Sequence, residues 1–166
     1  MNERQQPHPR DAENAEHAHR LEIYNTATLG VENEMSASEN KQLLQSIFAE
    51  LAKGNSRPFV ENMDEDFRWV VTGTTKWSRI YEGKQSVLKD LFGELRLRIE
   101  GNITTTATRF IADEDFVVVE ARGSNVTKSG VPYNNAYCFV FRLYEGKLKE
   151  VTEYLDTELV TSTLGE

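Results

Sequence analysis

The chain has 166 residues, of which 27 are acidic and 19 are basic, so its formal net charge is −8. This length allows one well-packed domain and leaves too little chain for two. The acidic excess leaves no basic stripe that could neutralise a nucleic-acid backbone, and no apolar run approaches the roughly 20 residues that span a bilayer. We therefore expect one domain with neither a nucleic-acid nor a membrane partner.

The N-terminal part, residues 1–36, is rich in Glu, Asn, Gln, Ala and His and has no sustained helical or strand period. Such a composition buries too little apolar surface to offset the entropy of ordering, which predicts a disordered or loosely docked tail. His17 and His19 could bind a metal weakly, but no further ligand completes a site, so we expect none. The apolar residues of 21–31 could pack on the domain or on a second copy.

Targeting signals are also missing from the sequence. The N-terminus lacks the basic start and apolar core of a secretion signal, and Cys138 has no second cysteine with which to form a disulfide. We expect a cytoplasmic protein.

The ordered domain is expected over residues 37–160, followed by a short C-terminal tail at 161–166. Ser36 and Glu39 have the spacing of a capping box, and the apolar residues that follow recur on one helical face until Gly54, which predicts a first helix. Pro58 marks a short second helix, and a third with the same apolar spacing is predicted from about Lys84 to Leu97.

Most of the rest of the domain has the pattern of β-strands. A first strand is predicted at Phe67–Val71, and four strand-like stretches follow the third helix, separated by turn-forming residues. Helices followed by a meander predict an α+β fold, a cone-like curved antiparallel sheet wrapped around three N-terminal helices with an internal pocket. The four later stretches are Ile103–Ala112, Phe116–Thr127, Tyr133–Tyr144 and Lys147–Leu155.

The last two predicted strands carry a recognisable pattern, YNNAYCFVFR at 133–142, EGKL at 145–148 and EYLDT at 153–157. It resembles the end of SnoaL-like proteins, members of the nuclear transport factor two-like superfamily, which also includes ketosteroid isomerase, limonene epoxide hydrolase and scytalone dehydratase. The resemblance covers about residues 39–160 and implies a cone-like fold, a small-molecule pocket and a homodimer. It selects no single activity, because this fold hosts several enzyme classes and binding modules.

Strand alternation divides each strand into a pocket-facing and an outward-facing set. Ala136, Cys138, Val140 and Tyr154 fall on the outward-facing side and form an apolar surface, which also favours a homodimer. The pocket-facing sets are Val118, Glu120 and Arg122 in one strand, Asn135, Tyr137, Phe139 and Phe141 in the next, and Val151, Glu153 and Leu155 in the last.

Similarity to limonene epoxide hydrolase implies that Glu120, Arg122 and Glu153 take the positions of its catalytic acid–arginine–acid set, with the first two in exchanged order. The positions that hold its attacking water carry Trp69 and Val71, whose side chains cannot accept a hydrogen bond from water. Epoxide hydrolysis by that mechanism is therefore not expected.

Two other superfamily mechanisms also lack their residues. Phe139 takes the position of the protonated acid of ketosteroid isomerase, and the domain has no histidine of the kind that scytalone dehydratase uses. Two carboxylates and one guanidinium remain, of which Glu120 and Glu153 could divide the acid and base roles, with Glu153 as the base. The structural alternative is a buried ion-pair network that fixes strand register.

These observations favour a cofactor-free enzyme that isomerises or cyclises a small hydrophobic carbonyl or polycyclic substrate, ahead of hydrolysis or dehydration. The alternative is a non-catalytic ligand-binding or dimerisation module, in which the pocket aromatics are ordinary core residues. The residues expected to contact the substrate are Trp69, Trp77, Tyr81, Asn135, Tyr137, Phe139 and Leu155.

Overall fold

A computed structural model describes residues 35–165 of the chain. The expected N-terminal tail up to residue 34, with its histidines and the apolar stretch 21–31, lies outside the described residues. All three predicted helices are present in the described part.

The first helix, α1, spans Ala37–Leu51 and begins with the predicted capping box. Ser36 Oγ accepts a hydrogen bond from the Glu39 backbone N–H at 3.3 Å, and the Glu39 carboxylate accepts one from the Ser36 N–H at 2.8 Å. Both donors are backbone groups that a helix start otherwise leaves unpaired. The second helix, α2, spans Arg57–Asn62 with a proline in its first turn.

The third helix, α3, consists of three consecutive segments. A single α-helical turn at Lys84–Ser86 is followed by a π-helical segment at Val87–Leu91 and an α-helical segment at Phe92–Arg98. Short π-helical segments often occur where a helix contributes to a functional site. The sequence predicted the helix but not this interruption, because the apolar residues of Val87–Leu95 keep helical spacing through the π-helical segment.

The strands form an open, curved sheet in the order β2-β1-β8-β7-β4-β3, and β5 and β6 make a separate small ribbon. Neighbouring strands are antiparallel except β1 and β8, which run parallel, so the antiparallel prediction is wrong for that pair. The strands are β1 Met63–Val71, β2 Ile80–Glu82, β3 Thr105–Asp113, β4 Phe116–Gly123, β5 Asn125–Val126, β6 Pro132–Tyr133, β7 Ala136–Tyr144 and β8 Lys147–Leu155.

The inner face of the sheet packs against the helices through aromatic side chains. Phe48 of α1 contacts Phe110, Phe139 and Phe141, with ring centroids 5.9–6.0 Å apart. Aromatic pairs at this spacing bury large areas and add a geometric preference. The predicted inner faces of β7 and β8 are confirmed, since Phe139, Phe141 and Val151 are buried.

The predicted face of β4 is wrong. Val117, Val119 and Ala121 are buried, whereas Glu120 and Arg122 face outward. Glu120 is the cross-strand neighbour of Cys138, which lies on the outer side of β7. Three consecutive valines at 117–119 make both faces of this strand apolar, so the period of two could not identify the buried side.

A fourth helix, α4, spans Thr157–Leu164 and was not predicted. Asp156 caps it by accepting a hydrogen bond from the Leu159 N–H at 3.1 Å. Residues 161–164, assigned above to a tail, are its last turns, and Leu164 is only 7% exposed. Its β-branched valine and threonines are weak helix formers, so the local composition did not indicate a helix.

Within the described part of the chain, no helix is both long enough and apolar enough to cross a membrane.

The outer sheet face generates a testable prediction about assembly. Tyr154 is 51% exposed beside half-buried Cys138 and Val140, and apolar surface of this kind favours association of two copies. We expect light scattering at micromolar concentration to give twice the chain mass, and Tyr154→Glu to shift it toward the monomer. A monomer mass for the unaltered protein would contradict the prediction.

Candidate functional site

The space between the sheet and the helices contains a cavity of about 220 Å³. Its walls are mainly aromatic and aliphatic, and one end is bordered by exposed residues that include Ser56, Arg96 and Asn102. We call it the large cavity. Its apolar lining side chains are Phe48, Leu51, Phe59, Trp69, Leu91, Phe92, Leu95, Ile103, Phe139 and Phe141.

A second cavity, of about 60 Å³, lies next to the first and is called the small cavity. α4 covers it with Val160 and Leu164, and Asn125 and Tyr133 add polar groups to its wall. Two polar side chains, Tyr137 and Glu153, line both cavities. They therefore stand where any molecule in either cavity would meet them.

Glu153 is held in this position by the pairing of β8. Its cross-strand neighbours are Val71 on the parallel side and Phe139 on the antiparallel side, and all three point inward. The residue is only 8% exposed. A carboxyl group with apolar neighbours on both sides loses most of its hydration, which disfavours its charged form.

Within residues 35–165, the carboxyl of Glu153 has one hydrogen bond, which comes from an indole. Trp69 Nε1 donates to Glu153 Oε2 at 2.8 Å, Oε1 has no hydrogen-bond partner among these residues, and the side chain lines both cavities. Burial raises the pKa of Glu153 from 4.5 to about 7, with the Trp69 N–H opposing part of that shift. The group can therefore both take up and release a proton near neutral pH.

Two phenols lie beside this carboxyl. The Tyr137 hydroxyl donates to the oxygen of Tyr133, and burial raises the pKa of both tyrosines, that of Tyr137 most strongly. The nearby Glu153 carboxylate also raises both pKa values. Both phenols therefore remain protonated at neutral pH and can act as hydrogen-bond donors.

Five of the seven predicted contact residues lie in the walls of the cavities. Trp69, Tyr137 and Phe139 line the large cavity, and Trp77 and Leu155 line the small one. The other two predicted residues, Tyr81 and Asn135, are buried but line neither cavity, so their predicted role is not supported.

Tyr81 and Asn135 are occupied by structural hydrogen bonds instead. The Tyr81 hydroxyl donates to the Trp77 carbonyl at 3.4 Å. Asn135 donates from Nδ2 to the Asp156 carbonyl and accepts from the Asp156 N–H, each at 3.0 Å. Asn135 thereby fixes the backbone just before α4.

The predicted catalytic group of Glu120, Arg122 and Glu153 is not assembled. The Glu120 side chain is 47% exposed on the outer face and lies 3.6 Å from Arg109 Nε, and Arg122 is exposed on the same face. Neither reaches Glu153, so the alternative of a buried ion-pair network among the three is wrong as well. Of the three, Glu153 alone faces the cavities.

Several lining residues were missed by sequence reasoning. Tyr133 has the same strand parity as Tyr137, which was a usable signal, although the strand breaks between them. Arg96 lies in α3 four residues after Phe92, so the helical period was a usable signal for it, whereas Asn102 lies in a loop and Asn125 in a two-residue strand, where no periodicity indicates a direction. The contribution of α4 could not be found without predicting that helix.

Comparison with protein families settles the family. The SnoaL-like domain matches residues 44–151, which is most of the described chain. The chain belongs to the SnoaL-like family. The matched region ends before Glu153, so membership by itself assigns nothing to that residue. Comparison with curated proteins finds no match.

Several solved structures share the fold. An NTF2-like protein from Burkholderia xenovorans LB400 has a TM-score of 0.63 and 22% identity, covering 79% of this chain and 99% of its own. A proposed isomerase from Bacillus subtilis has a TM-score of 0.61 and 19% identity, covering 78% and 95% respectively.

A proposed SnoaL-like polyketide cyclase from Jannaschia sp. CCS1 has a TM-score of 0.60 and 18% identity, covering 75% of this SnoaL-like chain and 90% of its own. At such identities these likenesses show the fold alone.

The raised pKa of Glu153 predicts how stability depends on pH. The protonated form is favoured in the folded state, so its stabilising effect is complete below the unfolded pKa of 4.5 and is lost as pH rises through about 7. We expect urea unfolding to show the protein losing about 3 kcal/mol over this interval relative to Glu153→Gln.

Glu120→Gln is the matched control, because it makes the same change on the outer face. It should retain the pH dependence of the unaltered protein. If Glu153→Gln keeps that dependence too, the carboxyl is not the group responsible.

Proposed function

We propose that this SnoaL-like protein is a cofactor-free enzyme that moves a proton on a small cyclic carbonyl compound, as an isomerase or cyclase does. The observation that carries the proposal is the buried carboxyl of Glu153, which lines both cavities and, within residues 35–165, is hydrogen-bonded by Trp69 through Oε2 alone. A buried carboxyl that titrates near neutrality and meets a ligand through one oxygen is suited to general base catalysis.

The cavity also supports a particular size and polarity of substrate. An apolar cavity of about 150 Å³ can hold benzene, so the large cavity, with about 220 Å³, is suited to a single ring or to two fused rings. The aromatic walls favour a flat molecule, because flat rings stack or meet edge to face with Phe59, Phe92 and Phe139.

The proposed step is abstraction of a proton from the carbon next to the carbonyl. The carboxylate of Glu153 takes this proton, and the electron pair of the broken C–H bond moves onto the carbonyl oxygen to give an enolate. The hydroxyl of Tyr137, which stays protonated, is the donor proposed to stabilise that oxygen, and it exchanges its hydrogen bond to Tyr133 for one to the enolate. In a substrate with a C=C bond beside the acidic C–H bond the product is a dienolate, and return of the proton from Glu153 to its γ-carbon completes an isomerisation. Attack of the enolate carbon on a second carbonyl of the same molecule forms a ring, and the proton on Glu153 then passes to the resulting alkoxide.

The fold neighbours described as a proposed isomerase and a proposed polyketide cyclase are consistent with both outcomes. The non-catalytic alternative, a module that only binds such a molecule, uses the same cavity and differs in whether Glu153 exchanges its proton with the ligand.

We expect the protein to accelerate exchange of the α-hydrogens of 2-tetralone for deuterium in D₂O, followed by proton NMR. The rate should rise with pH through about 7, because only the ionised Glu153 is a base. Glu153→Gln keeps the size and hydrogen bonding of the side chain and should lower the rate on the order of a hundredfold.

Glu120→Gln is again the matched control and should exchange at the unaltered rate. An unaltered rate in Glu153→Gln would eliminate that residue as the base. Binding of 2-tetralone without any acceleration of exchange would support the binding module over the enzyme.

A further inference from the structure

The large cavity is bordered by two ionisable side chains of opposite charge, and only one of them enters the chemistry proposed above. Glu153 is buried among apolar groups, whereas Arg96, on the last turns of α3, is exposed at the solvent end. Among the lining residues these two alone carry a full charge when ionised. The cavity therefore has a titrating inner carboxyl and a permanent positive charge at its rim.

Arg96 takes no part in the internal bonding of the domain. Within residues 35–165 its side chain has no ion pair and no hydrogen bond. Other arginines of this acidic protein do pair with carboxylates, namely Arg57, Arg68, Arg98, Arg109 and Arg142.

A cation near the C-terminal end of a helix can be explained by favourable interaction with the helix dipole. In α3 that position is already served by Arg98, which donates to the Glu94 carboxylate at 2.6 Å and to the Leu164 carbonyl at 3.1 Å. Arg98 also stacks over the Trp77 ring, 5.1 Å from its centroid. Arg96 instead lies against the cavity, so its guanidinium is available to a ligand.

We infer that the large cavity takes a flat, ring-containing molecule bearing one carboxylate, which Arg96 binds at the rim while the rings lie between the aromatic walls. The inference rests on the proposed function and names the substrate class of that site. A guanidinium presents parallel donors that match a carboxylate, and Ser56 and Asn102 at the same rim offer further hydrogen bonds.

The charge balance favours a monoanion over a phosphate ester. The protein has a net charge of −8, so a dianion would approach against a repulsive field and find one guanidinium for two negative charges. A ligand with one carboxylate carries one negative charge, which the single guanidinium of Arg96 balances. Its apolar rings supply the remaining affinity inside the cavity.

Isothermal titration calorimetry with two probes of the same ring system tests the inference. 2-Naphthoate carries a carboxylate, and 2-acetonaphthone carries a neutral ketone of similar size. We expect Arg96→Gln to weaken 2-naphthoate binding about tenfold and to change 2-acetonaphthone binding less than twofold. Higher ionic strength should weaken only the naphthoate.

Arg109→Gln is the matched control, since it removes the same charge from the exposed pair with Glu120, away from the cavities. It should leave both affinities unchanged. The inference would be overturned if Arg96→Gln weakened the binding of both probes equally, or if Arg96→Gln and Arg109→Gln weakened the binding of 2-naphthoate equally. So would an unaltered protein that binds the ketone but not the carboxylate.

A failure of the proposed function can be distinguished from a failure of this inference, because binding of 2-naphthoate requires no proton transfer. A protein that binds it through Arg96 but does not exchange 2-tetralone supports the carboxylate site and contradicts the enzyme.

Discussion

The desolvation of one carboxyl group is the constraint around which this structure is organised. Glu153 sits in the centre of the sheet, between a parallel neighbour in β1 and an antiparallel neighbour in β7, and the only hydrogen bond that its carboxyl makes within residues 35–165 is the 2.8 Å contact from Trp69. A buried carboxyl with so little support costs stability whenever it is charged. Its placement beside two cavities gives that cost a functional explanation, because perturbed groups cluster where chemistry occurs.

The strand connectivity makes this position possible. Since β8 is the last strand and pairs with both β1 and β7, a residue in its middle has strands on both sides, and the following α4 covers the small cavity beside it. Asn135 joins the two elements through its paired hydrogen bonds to Asp156. The carboxyl, its cavities and the covering helix are therefore consequences of one arrangement at the end of the chain.

Much of this architecture could be predicted from the sequence, and the failures have physical causes. The capping box at Ser36 and the turn residues between strands act locally, so they were visible without tertiary information. The inward direction of Glu153 followed from its alternation with Val151 and Leu155 in β8. The same rule failed for Glu120, because the valines of β4 are apolar on both sides, and no local signal distinguished its buried face.

The parts of the site in loops, at the end of α3 and in α4 depended on tertiary contacts. Arg96 is one of several arginines in the sequence, and only the structure separates it from those paired with carboxylates. Leu164 packs over the small cavity because Asp156 starts a helix of weak helix formers, an arrangement that packing stabilises more than propensity does. Family membership fixes the fold and leaves these side chains to be interpreted one by one.

The ionisation of Glu153 is the property on which the proposed chemistry depends most directly, and carbon-detected NMR can follow it through the chemical shift of the carboxyl carbon during a pH titration. We expect a midpoint near pH 7, moved still higher in Trp69→Phe because the indole donor that favours the charged form is gone. A midpoint near the 4.5 of an unperturbed glutamate, unaffected by loss of the indole, would contradict this expectation.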